Sequence, residues 1–262
     1  MQISLLLFLI RLPVLILILL GHQFAHADSE ASNRLYMAVD PGGQFYAKCY
    51  PADHYGLKGK TEIYRVGEKD RLLHIYDWYS PQVFIAGWAG NDEPYVVQMG
   101  PWQRGHEATH EHLALAFFKG GKLVKRYSTL DIAGSPKNVS QSKSHYTLFK
   151  NITGFVYPFI ANKLYFEAET HDGRHLTFDP DTGRIVSPEE RRLEEELEGA
   201  RNKIGSLKIE WMFRNKSRYE ADKNIKITPE MIEAVAPGQF PQLPAGYRYV
   251  PGTVWETVEL KK

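Results

Sequence analysis

The residues most able to do chemistry lie in "GPWQRGHEATHEHLALAFFKGGK", Gly100 to Lys122, where His106-Glu107-Ala108-Thr109-His110 spells H-E-x-x-H. On a helix that spacing turns two imidazoles to one side, so both can ligate one Zn²⁺ while the intervening carboxylate activates the bound water. The motif nominates a zinc-dependent hydrolase, with His106 and His110 as ligands and Glu107 as general base. His112 adds a non-catalytic alternative. Alternate residues of an extended strand share a face, so His110 and His112, with His106, are candidate metal ligands without a helix.

The elements that would have to position these groups argue against both readings. Gly105 precedes the motif, the charged Glu111 follows the second histidine, and His112 leads into "LALAFF", Gly120-Gly121 and "KLVKRY". That pattern is a β-hairpin, so a polar loop entering a strand explains the histidines better than a helix does. No "GxxH" continuation follows, and no downstream helix offers a third carboxylate before Glu189. The reading carried forward has no resident metal or cofactor, and Glu107 is not catalytic.

Other chemistries have less support. Ser128 and Ser144 lack a G-x-S-x-G context, and no glycine-rich phosphate loop occurs. Cys49, the only cysteine, sits in strand-like "FYAKCYP", where a buried structural thiol is the default. Asp77, Asp131, Asp172 and Asp179 fall at strand ends and turns, where aspartate caps the backbone. The aromatic groups "YDWYS", "GPW" and "YGLKGKTEIY" could line a carbohydrate- or peptide-binding surface, but large aromatics are also what a β-core uses. Core is the preferred reading for each.

From Gln44 to about Val186, runs such as "QFYAKCY", "TEIYRV", "LLHIYDW", "YVVQM", "HYTLF", "KLYFEAET" and "RHLTFD" predict short strands. Gly120-Gly121, Asp172-Gly173 and Asp181-Thr182-Gly183 predict antiparallel hairpins. No helical period separates them. The pattern changes at Ser187-Pro188-Glu189-Glu190, a predicted capping box. Leu193, Leu197, Ala200, Ile204, Leu207 and Trp211 then recur at helical steps, predicting one amphipathic helix to about Phe213. A shorter helix is predicted from Thr228-Pro229, and a small hairpin around "YRYV" and "VWETVEL". The expected fold class is therefore α+β: an antiparallel β meander, partial propeller or sandwich over 33–187, then a helical module with a Pro/Gly-rich tail over 188–262.

The 262 residues are 43% hydrophobic and 13% aromatic, enough for a packed core. "LLLFLIRLPVLILILL" followed by Ala25-His26-Ala27 reads as a signal peptide over 1–27, because the apolar run after Arg11 is shorter than the roughly 20 residues a span needs. Cleavage there would leave no stable membrane span and an exported protein, periplasmic or extracellular. Removing Arg11 leaves 31 basic and 31 acidic residues, a balance that disfavours nucleic acid as a partner.

Two resemblances add to this. The β-region, with "AFFKGGKLVKRYSTLDI" inside it and "DGRHLTFDPDTGRIV" closing it, resembles uncharacterised exported bacterial proteins built from propeller-like strand units. That resemblance implies a fold and no activity. The segment "ARNKIGSLKIEWMF" through "ITPEMIEAVAPGQFPQLPAGYRY" resembles the helix and globular tip of type II secretion pseudopilin-like proteins, which implies a part in assembly. Together the sequence predicts a non-enzymatic binding or assembly protein of the cell envelope, with a protein or carbohydrate partner; the alternative is the hydrolase centred on Glu107.

Overall fold

The computed structural model describes residues 32–87, 92–157 and 163–262. The predicted signal peptide lies outside them. The chain opens with β1 (Tyr36–Val39), β2 (Phe45–Pro51), β3 (Gly59–Arg65) and β4 (Arg71–Tyr76), paired antiparallel in chain order. A second meander follows: β5 (Val83–Ala86), β6 (Tyr95–Met99), then β8 (Leu113–Lys119) and β9 (Lys122–Ser128), with the short β7 (Gln103–Arg104) looped out between β6 and β8. After helix α1 (Thr129–Ala133), β10 (Ser140–Gln141) and β11 (His145–Thr147) join β7 in a small sheet. The third meander is β12 (Phe149–Val156), β13 (Tyr165–Thr170), β14 (His175–Phe178) and β15 (Ile185–Val186).

Side-chain alternation explains how these sheets stack. Val96, Ala116 and Phe118 of the second sheet pack with Phe45, Ala47, Cys49 and Ile63 of the first. Their neighbours Val97, Leu115 and Phe117 point the other way, onto Phe166, Leu176 and Phe178 of the third. The second sheet is covered on both faces, which is why β6 and the Leu113–Phe118 run of β8 are apolar or buried throughout. The result is three stacked meanders rather than a two-sheet sandwich. The first sheet ends the stack and keeps an exposed outer face with Met37, Val39, Leu72 and Ile75. Burial pushes the Cys49 thiol above its ordinary value, against bonds to Tyr36 and Thr61 that favour the thiolate.

The predicted absence of helix between strands is corrected at α1. Ser128 accepts from the Asp131 amide and Asp131 accepts from the Ser128 amide, a complete capping box on a helix too short to show a period. At the predicted box, α2 (Pro188–Arg214), Ser187 accepts from the Glu190 amide, but the Glu190 carboxylate is engaged chiefly by Arg184. The helix reaches Arg214 through Gly205, close to the predicted end.

Beyond it lie α3 (Lys216–Ala221), α4 (Pro229–Val235, capped by Thr228) and the hairpin β16 (Arg248–Val250) with β17 (Glu259–Lys261). Leu197, Ile204, Leu207 and Trp211 form a core with Ile227, Ile232, Tyr249 and Leu260, all drawn from this C-terminal part. Its meeting with the third sheet is largely polar: Arg191 pairs with Glu167, and Lys163 and Tyr165 both reach Glu194. Among the described residues no helix is long and apolar enough to cross a membrane.

Candidate functional site

The H-E-x-x-H stretch forms neither the helix a zinc site needs nor the strand that would align alternate histidines. Residues 105–112 are irregular, two runs of bends joined at Ala108 and Thr109, and the strand begins only at Leu113. The backbone of this loop bonds outward. Gly105 donates to Ser144, Ala108 to Pro136, while Thr109 and His112 carbonyls accept from Leu130 and Thr129. Groups that a helix would pair four residues along are thus satisfied by α1 and the segment after it.

Each histidine is consequently drawn to a different place. The His106 imidazole meets the Lys143 carbonyl at 3.0 Å, His110 meets Ser128 at 3.3 Å and Asp131 at 3.6 Å, and His112 meets the Tyr146 hydroxyl at 2.8 Å. Glu107 is exposed between them. Among the described residues no three His, Cys, Asp or Glu side chains gather as a metal would require. The candidates His106, His110 and His112 are not brought together.

The segments on either side of the loop, Met99 to Gln103 and Leu113-Ala114, line a cleft. Its floor carries a buried polar chain: the Tyr146 hydroxyl lies 2.8 Å from both His112 and the Thr129 hydroxyl, and Thr129 donates to the Thr109 carbonyl at 3.0 Å. Burial raises the Tyr146 pKa despite the Thr129 bond, so the phenol stays neutral. Above this floor, residues Gly100 to Gln103 sit directly on β8. A Cβ at Gly100 would come 1.8 Å from the Leu113 oxygen, so only glycine permits that approach. The Gln103 amide donates to the same oxygen at 2.9 Å.

The cleft has a volume of about 290 Å³ between Gly100–Gln103, the Pro81-Gln82 turn and the start of β12. Among the described residues no charged side chain lines it. Trp102 stands at its edge, 39% exposed, with its indole stacked on the buried His145 ring at 5.1 Å between centroids and 23° between planes. Of the aromatic groups picked out in the sequence, "YDWYS" goes inward, with Tyr76 and Tyr79 buried, while "GPW" places Trp102 on this cleft. Tyr146, Thr129, Gln82 and Thr147 were not picked out. Tyr146 and Thr147 lie within "HYTLF", and no sequence signal pointed to Gln82 or Thr129.

No protein-family model matches the chain. No curated protein matches it either. Among solved structures the chain is similar to Saccharomyces cerevisiae Sqt1, at 10% identity and a TM-score of 0.21, covering 58% of this chain and spanning 60% of that one.

Proposed function

We propose that this chain is an exported, non-enzymatic binding module of the cell envelope that holds its ligand in the cleft beside Trp102. One observation carries the reading: an exposed indole, stacked on His145, borders an uncharged cleft on a hydrogen-bonded polar floor. Apolar walls with a few placed polar groups are the common form of a ligand site. Among the described residues the lining holds no carboxylate, thiol or imidazole to take a proton from a substrate, and the Tyr146 phenol is committed to His112 and Thr129. Export is proposed from the apolar run ending at Ala25-His26-Ala27.

The test is an array of envelope glycans and peptides probed with the exported chain and with Trp102→Ala, followed by analysis of bound material for cleavage. Binding that depends on Trp102 and leaves the ligand intact is expected. Turnover of the ligand, or binding indifferent to Trp102, contradicts the proposal.

A further inference from the structure

We infer that the cleft takes one uncharged pyranose unit of a neutral glycan, stacked against Trp102. This rests on the cleft being the binding site and adds the chemistry of what enters it. A phosphate, carboxylate or ammonium placed there would lose water and gain no counter-charge from the lining, because none of the described lining residues is charged. That disfavours nucleotides, acidic sugars and charged peptides. A neutral ring rich in hydroxyls has the opposite balance: its C–H face needs an apolar plane, and its edges need neutral donors and acceptors.

Both are present at the right places. Trp102 offers the plane, and the His145 ring stacked on it restricts the indole before any ligand arrives, which lowers the ordering cost of binding. Gln82 is exposed at the rim, and the Thr147 hydroxyl, 2.9 Å from His171, lies on the wall. A volume of about 290 Å³ is at the small end for ligand sites and suits one ring rather than an extended chain. A proline-rich peptide is also neutral and aromatic-seeking, but its grooves are made of several exposed aromatic ridges. Here Trp102 is the exposed aromatic of the lining, whereas Tyr146 is buried and Phe149 half-buried.

The test is calorimetric titration of the exported chain with maltotriose, cellotriose and tri-N-acetylchitotriose, and separately with trigalacturonate and a deca-proline peptide. At least one neutral trisaccharide should bind, weakened about tenfold by Trp102→Ala and only slightly by Trp102→Phe, with the two other probes silent. Gln82→Ala, at an exposed position where folding is not at stake, should weaken the same sugar about threefold. No binding by all three neutral sugars, or Trp102-dependent binding of trigalacturonate or deca-proline alone, overturns the sugar assignment; the latter result leaves the cleft standing as the site. Sugar binding unchanged in both Trp102→Ala and Gln82→Ala overturns the site itself.

Discussion

The Tyr95 hydroxyl donates to the Asp181 carboxylate at 2.7 Å, and the Lys119 ammonium meets the same oxygen, so the turn that closes the third sheet is tied to the second. Burial alone would raise the Asp181 pKa; the bonds from Lys119 and Tyr95 outweigh it and hold the carboxyl below its ordinary value. A carboxyl with a depressed folded pKa stabilises above the unfolded value, roughly 3.9, and loses that contribution as pH falls through the folded one. Asp181→Asn should therefore lower Tm at neutral pH, and its deficit should shrink toward about pH 3. A deficit that stays constant across that range would show that the tie is not electrostatic.

Phe117 is 1% exposed at the centre of the junction between second and third sheets, packed edge-on to Phe166 and tilted against Phe178. Truncation to alanine should cost about 3–5 kcal/mol in urea unfolding, because the stack on both sides cannot collapse into the gap. Leu123, 56% exposed on the edge strand β9, should tolerate the same change within about 0.5 kcal/mol. Similar costs at the two positions would contradict the stacking described.

Lys208 is buried in the C-terminal core and donates to the Glu256 carbonyl at 2.8 Å. Burial lowers its pKa, with Glu256 opposing in part. A base whose folded pKa lies below its unfolded value gains stability as pH rises between the two, since the unfolded chain then holds the extra proton. The stability of the wild type relative to Lys208→Met should therefore increase from neutral pH toward about 10. A flat difference would mean that the ammonium reaches water.

The polar junction at Arg191–Glu167 and Tyr165–Glu194, and a C-terminal core that borrows nothing from the sheets, lead us to propose that residues 33–187 fold without 188–262. The truncated chain should give a cooperative thermal transition and retain native-like near-ultraviolet dichroism. Loss of all cooperativity would show that α2 completes the β-structure.

Much of this fold could be read along the chain, and the limits are instructive. The helix from Pro188 shows its period because one face meets a core and the other meets water, yet the same period cannot show that Lys208 is buried. Strand β12 escaped notice because register shifts between Phe149 and Asn151 and between Ile152 and Gly154 break its alternation. Gly154 there has φ +83°, and a Cβ would press within 2.9 Å of Phe84, so the bulge seats that strand against β5. The H-E-x-x-H letters could be set aside from the hairpin signals around them, but local spacing says nothing of the backbone partners that α1 supplies. The cleft was the least legible feature, since Gln82, Trp102, Thr129 and Thr147 come from four separated segments and share no linear spacing.

The loop geometry makes a further prediction. After dialysis against a weak chelator the exported chain should carry no stoichiometric zinc, and His106→Ala and Glu107→Gln should leave its metal content and stability nearly unchanged. One zinc per chain, lost on replacing His106 or His110, would show that the loop refolds around metal.

The most direct test of the central claim uses the indole N–H signals of the nitrogen-labelled exported chain, whose five tryptophans include Trp102 on the cleft and Trp255, 68% exposed on the C-terminal module. With the Trp102 signal assigned from its absence in Trp102→Phe, the tightest ligand from the array is added stepwise. The account predicts a saturable shift of the Trp102 signal while that of Trp255 stays in place. A saturable shift confined to Trp255, with Trp102 unmoved, would contradict it.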